Sequence, residues 1–395
     1  MYGLVLEGGG ARGSYQIGAC KAIKEMGFEI GIVAGTSVGA LNGAMIVQGD
    51  IEKAYDVWNE MNPDRVIQLR GNELEGFINS EFRPEMLKPF LRGLRKVISE
   101  GGLNVEPLVD LVKGVLDENV IRKSPIGFGV VTVDMTKRRA VEIYKEDIPS
   151  GQLLDYVIAS ASFPAFKRAV IDGRTYIDGG LYNVLPIDMV SGKGYKDIIV
   201  IRTYGLGIMK RTDTSGINIL SISPVDKLNS TMDFSNAASR KNLQMGYYDA
   251  YKAVKNLKGS KYYIIPTNND TFFINYLSGL EDLKIFKILR LLGISSDGRR
   301  AFFEEAVPKL AAAMNLTATA TYEDIFIAFL ERLAENLDVE RFRFYTFDEF
   351  FEAVITKYKA CKGKKEFQIT VKRSELLTKA MRERMLNSIA DEIFG

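Results

Sequence analysis

The sequence predicts a three-layer α/β/α sandwich on a mainly parallel sheet, followed by a C-terminal all-helical region. Three observations carry this. Up to about residue 265, short and nearly continuous apolar runs alternate with helical stretches, the texture of strands covered on both faces. The turns that join them are rich in glycine, as strand–helix alternation in an α/β domain requires. Past Pro266 the texture changes: only five of the 36 glycines (Gly279, Gly293, Gly298, Gly363 and Gly395) remain, and the chain reads as amphipathic helices. The expected domains are therefore an α/β domain over 1–265 and a helical domain of unassigned role over 266–395.

The elements follow in order. "YGLVLE" (2–7) is a first strand, and "SYQIGACKAIKEMG" a helix ending at Gly27. "IGIVAG" (30–35) is a second strand. A helix begins near Val38, and Gly39, Ala40, Gly43 and Ala44 give it a small face for packing on the sheet. "EPLVDLVKGVLD" repeats apolar residues at helical spacing, and "IGFGVVTVD" (126–134) is again strand-like. Asp172-Gly173, between "RAVI" and "RTYI", reads as a hairpin turn. Pro186 to Ser191 forms a short helix closed by Gly192 and Gly194, before the strand "DIIVIRT" (197–203). "LEDLKIFKILRLLG", "YEDIFIAFLERLAENL" and "FDEFFEAVITKYKA" typify the helical remainder.

Composition narrows the chemistry. The chain has 395 residues, 46% hydrophobic and 26% charged, with a formal charge of +2, values of a folded protein with no bias toward nucleic acid. Cys20 and Cys361 are far apart and read as inert thiols, which fits a reducing cytoplasm. No apolar run is long enough to span a bilayer, and the first is followed by a glycine loop rather than a cleavage site, so neither a signal peptide nor a transmembrane segment is expected. There is no histidine, which excludes Ser-His-Asp and Cys-His catalysis. No metal and no cofactor is expected.

Three motifs stand out. "GTSVG" places Ser37 in a strand–turn–helix setting, the context of a nucleophile elbow, with Gly35, Thr36, Val38 and Gly39 around it. A serine N-cap in an ordinary connection is the alternative reading. "GGGARG" (Gly8, Gly9, Gly10, Ala11, Arg12, Gly13) satisfies G-x-G-x-x-G after a strand. A dinucleotide site would need an acidic residue at the end of the second strand, where Gly-Thr-Ser stands instead. Such a loop equally offers backbone N–H groups to an oxyanion. "DGG" (Asp178, Gly179, Gly180) follows the second hairpin strand, where no turn is needed, so Asp178 reads as a strand-end carboxylate or as part of a glycine loop.

In this order, "GGGARG", "GTSVG" and "DGG" resemble the patatin-like phospholipases, as do "ASASFPAF" (159–166), "DGGLYNVLP" and "SRKNLQMGYYDAYKAVKNLKG". The resemblance covers roughly residues 2–265. It implies the patatin-like fold and a Ser-Asp dyad: Ser37 as nucleophile, Asp178 as general base, and residues 8–13 as oxyanion hole with Arg12 in the basic position. An ordinary aspartate lies roughly ten units below an alcohol, so complete proton transfer before attack would cost about 14 kcal/mol; transfer is expected to be concerted with attack.

The implied substrate is a lipid acyl ester, in the first place a glycerophospholipid, hydrolysed through an acyl-enzyme. A peripheral contact with a membrane is a further expectation, whereas oligomeric state is not legible. "YGLGIMKR" (204–211) and the segment 66–100, with Phe77, Phe82, Met86, Leu87 and Phe90, are candidates to line an acyl channel or simply to pack in a core. The basic stretch 361–385 reads as a solvated face or a headgroup contact. A non-catalytic lipid-binding protein on the same fold is the competing hypothesis, and a dinucleotide-binding oxidoreductase a distant one.

Overall fold

Nearly continuous apolar runs become strands where helices cover both faces. The computed structural model, which describes residues 1–67, 102–361 and 376–394, gathers eight strands into one sheet. They are β1 (Tyr2–Leu6), β2 (Ile30–Thr36), β3 (Gly127–Asp134), β4 (Arg139–Tyr144), β5 (Ala169–Ile171), β6 (Arg174–Asp178), β7 (Asp197–Ile201) and β8 (Asn218–Ile222). Their order is β5-β6-β3-β2-β1-β7-β8, with β4 paired to β3. From β3 through β8 along this order the pairs are parallel; β4 and β6 meet β3 antiparallel, and β5–β6 is a hairpin. Its turn is Asp172-Gly173, with φ of 49° and 72°, the two positive values a two-residue turn of this hand requires.

Alternate residues of the central strands serve opposite layers. Val5, Ile32, Ala34, Val131 and Val200 pack with Met189 and Val190 of the short helix Ile187–Ser191. On the other face, the helix α2 (Val38–Gln48) follows α1 (Gly13–Glu25) and lies so close that a methyl group on Gly39 would overlap the Leu6 carbonyl. The sandwich is thus three layers deep, as its texture predicts.

Two compact units divide the chain, Met1–Val254 and Lys255–Gly395. The second has its own core, built from Phe273, Ile288, Leu330, Phe350 and Ile389 among others. Its helices include Asp270–Ser278, Asp282–Leu291, Tyr322–Asn336, Phe347–Cys361 and Leu376–Phe394. Thr321 and Asp324 form a reciprocal capping box at the start of the third of these. This unit is not wholly helical: Tyr263–Ile264 pairs in parallel with Phe344–Tyr345. The strand-like "KYYIIP" therefore belongs with the helices that follow it, although it reads like the α/β region. Among the described residues, no helix is long and apolar enough to cross a membrane.

Candidate active site

The register of β3 brings two distant motifs together. β4 occupies one edge of β3 over residues 129–134. The other edge is shared: β2 pairs with it up to Thr36–Val131, and β6 takes over at the next residue with Asp178–Thr132. Since β6 runs antiparallel to β3 and β2 parallel, the two strands end head to head. Ser37, just past the end of β2, meets Asp178, the last residue of β6. The Ser37 hydroxyl donates to Asp178 Oδ2 at 2.6 Å, across 141 residues of sequence.

Ser37 has φ 58° and ψ −126°, a backbone state that costs a non-glycine residue about 1–3 kcal/mol and that is characteristic of sharp strand-to-helix turns bearing a reactive side chain. Thr36 pins the turn on one side, its hydroxyl donating to the Asn183 carbonyl at 2.8 Å. Asp178 is buried. Its Oδ1 accepts from the Gly180 amide at 2.7 Å, which closes the DGG turn on itself. Burial pushes its carboxyl up to about 6, against the opposing hydrogen bonds from Ser37 and Gly180. The carboxylate is thereby a stronger base than an exposed aspartate.

The glycine loop lies beside this pair. The Gly8 amide donates to Val184 O at 3.0 Å, Ala11 to Thr231 O at 2.8 Å, Arg12 to Gly9 O at 3.2 Å, and Gly13 to Gly10 O. For Gly9, Gly10 and Val38, all lining the cavity at Ser37, no acceptor of the amide lies among the described residues. The Gly8–Gly9 peptide is held from behind: Thr203 Oγ1 donates to Gly8 O at 2.6 Å. A planar trans peptide puts its N–H opposite its C=O, so this bond aims the Gly9 amide away from Thr203. Glu7, buried just before the loop, accepts from the amides of Thr203 (2.6 Å) and Tyr204 (2.9 Å) and from the Arg202 guanidinium (3.1 Å).

Arg12 does not join the cavity wall. Its guanidinium donates to the carbonyls of Asn229 (2.7 Å), Thr203 (3.1 Å) and Tyr204 (2.6 Å), tying the glycine loop to two other backbone segments. Burial lowers its pKa, and the nearby Glu7 charge opposes that. The basic position of the motif is here a structural strut.

Ser37 and Asp178 line a cavity of about 290 Å³. Its apolar wall comes from Leu41 and Met45 of α2, Ala54 and Trp58 of α3 (Ile51–Asn59), and Leu111 and Val115 of α4 (Glu106–Val115). Leu206 and Gly207 of the 204–211 stretch also line it, while Ile208 and Met209 are exposed. Phe77, Phe82, Met86, Leu87 and Phe90 lie outside the described residues, as does the basic stretch over 362–375. The sequence reading did not single out Glu7, Thr203 or the helix residues of this wall. Glu7 alone carried a signal, an acidic residue ending an otherwise apolar strand.

Residues 4–191 match the family model described as patatin-like phospholipase. They form a patatin-like phospholipase domain. Curated relatives of this chain include patatin-like phospholipase domain-containing protein 7 of Rattus norvegicus, 28% identical over 204 residues, or 50% of this chain and 13% of that protein. The human patatin-like phospholipase domain-containing protein 6 is 28% identical over 215 residues, 54% of this chain and 14% of that one. An uncharacterized NTE family protein of Mycobacterium tuberculosis is 28% identical over 191 residues, 48% of this chain and 45% of that one. The match thus covers less than half the length of each of these relatives. The solved structure of VipD from Legionella pneumophila aligns with a TM-score of 0.41 and 13% identity, covering 100% of this chain and 91% of that one. The patatin-like phospholipase match supports lipid hydrolysis at the level of the family.

Proposed function

We propose that this patatin-like domain hydrolyses the carboxylic esters of glycerophospholipids or lysophospholipids through a Ser37–Asp178 dyad and an acyl-enzyme. The observation that carries the reading is the 2.6 Å hydrogen bond from the Ser37 hydroxyl to a buried carboxylate, both groups lining an apolar cavity.

Ser37 Oγ attacks the ester carbonyl carbon while its proton passes to Asp178 Oδ2. Concerted transfer is required, because even a carboxylate raised to about 6 is far less basic than an alkoxide. The carbonyl oxygen becomes an oxyanion, and the amides of Gly9, Gly10 and Val38 are the donors assigned to it. The hole expected over residues 8–13 thus narrows to Gly9 and Gly10 of the loop, joined by Val38 beyond the nucleophile. Mutagenesis of such donors in other acyl-transfer enzymes removes about 3–4 kcal/mol each. Collapse breaks the carbon–oxygen bond to the lysolipid or glycerol alcohol, which takes the proton from Asp178. Water then loses a proton to Asp178 as it attacks the acyl-enzyme, releasing the fatty acid and regenerating Ser37. The apolar wall of α2, α3 and α4 receives the acyl chain.

The test is intact-mass labelling by a fluorophosphonate of the wild type, Ser37→Ala and Asp178→Asn. A single adduct on the wild type, absent from Ser37→Ala and formed at least about tenfold more slowly by Asp178→Asn, is the expected result. A folded wild type without adduct sinks the hydrolase reading and favours a lipid-binding protein on the same fold. Phospholipids of defined acyl position, assayed for released fatty acid, then identify the ester cleaved.

A further inference from the structure

Ser37 and Asp178 arrive on different strands, yet one short segment holds the backbone of both. The helix Leu153–Ser160 ends against the sheet. Its last residue, Ser160, accepts the Ser37 amide on Oγ at 2.9 Å and donates its own proton to the Val131 carbonyl at 2.6 Å. Two residues later, the Ser162 carbonyl accepts the Asp178 amide at 2.9 Å. Ser162 is itself locked to the helix end, its amide on Ala159 O at 3.2 Å and its hydroxyl on Ile158 O at 3.0 Å.

Ser160 is fully buried. A hydroxyl has one proton, and Val131 takes it, so the oxygen can face the Ser37 amide only as an acceptor. That bond restrains a residue whose φ of 58° is unfavourable for a side chain and persists only where its surroundings over-determine it. It also occupies the amide of Ser37 itself, leaving the oxyanion to the donors beyond.

We propose that Ser160 is a positioning residue for the hydrolysis: through its hydroxyl, the turn 160–162 sets the separation of Ser37 Oγ and Asp178 Oδ2. This rests on the reading of Ser37 and Asp178 as the reacting pair. Ser160→Ala removes the acceptor while leaving the Ser162–Asp178 bond, so the elbow relaxes and the carboxylate does not follow.

The experiment uses the full chain as wild type, Ser160→Ala and Ser160→Cys. Fluorophosphonate labelling counts competent sites, and kcat and KM for p-nitrophenyl butyrate are measured per labelled site across pH. Ser160→Ala is expected to lower kcat per site about 10- to 100-fold with KM within about twofold, the signature of lost alignment rather than lost binding. The acid limb of its profile should move upward, because the Ser37 hydrogen bond that holds the Asp178 carboxyl down is weakened. Ser160→Cys, with a poorer acceptor, should fall between, and it carries the test if Ser160→Ala does not fold. Fewer labelled sites with per-site kcat and acid limb unchanged would mean a merely structural serine and overturn the proposal. A folded wild type that takes no label overturns the parent reading, and this one with it; labelling of the wild type with unaltered per-site kcat in the variants overturns this one alone.

Discussion

At the residue scale, the proposed chemistry turns on one carboxyl group. Asp178 is raised by burial to about 6, and only its ionised form can accept the serine proton. The kcat/KM of the wild type should therefore rise with pH through a midpoint near 6, measured with a neutral ester so that substrate ionisation does not contribute. The same shift has a consequence for folding. A carboxyl whose native pKa exceeds its ordinary value of 3.8 binds its proton more tightly when folded, so its contribution to stability falls as pH rises from about 3.8 through about 6. Above that window the buried charge costs on the order of 2–3 kcal/mol. Asp178→Asn should consequently raise the Tm at pH 8 and raise it little at pH 4, while losing activity at both. A lower Tm at pH 8 would mean that the hydrogen bonds from Ser37 and Gly180 outweigh desolvation.

At the scale of elements, the cavity wall is a helix problem. The α2 helix can approach the sheet because Gly39 has no side chain, and it then turns Leu41 and Met45 toward the cavity. Beyond Met45 a polar seal closes that end of α2: Gln48 Nε2 donates to Asp50 (2.7 Å) and to Val115 O (3.0 Å), while its Oε1 accepts from the Asp117 amide (2.7 Å). Ala54 is the small side chain that α3 contributes to the wall. Ala54→Phe should fill space that a long acyl chain needs. Its kcat/KM for a p-nitrophenyl palmitate should drop about tenfold or more, with that for the acetate nearly unchanged, since each methylene excluded is worth about 1–3 kcal/mol. Equal losses on both esters would place the acyl chain elsewhere.

At the scale of the molecule, every described residue bonded to Ser37 or Asp178, and every described residue lining the cavity, falls within Met1–Val254. The Lys255–Gly395 unit has a core of its own. A chain ending at the unit boundary, after Val254, should therefore still fold and still take the fluorophosphonate on Ser37, with a labelling rate within about threefold of the full chain. Loss of labelling with retained secondary structure would assign the helical unit a part in the site.

Much of this was legible before any coordinates. β1, β2, β3 and β7 announce themselves because strands buried on both faces leave no room for polar alternation. Asp172-Gly173 declares its turn because few residues tolerate two successive positive φ values. Ser37 could be singled out because a strand, a Gly-Thr-Ser turn and a small-faced helix are all local. The pairing of Ser37 with Asp178 is not local: it depends on β6 replacing β2 along one edge of β3, a matter of register between segments more than a hundred residues apart. The same holds for Ser160, whose hydroxyl has no pattern of its own in the sequence, and for Arg12, whose motif position says nothing of the carbonyls that capture it. Side-chain type and local spacing thus determined the elements and the candidate groups. Which groups face one another, how deeply Asp178 is buried and which amides remain for an oxyanion were decided by tertiary packing, because hydrogen-bond partners and desolvation are properties of the assembled neighbourhood and not of the residue.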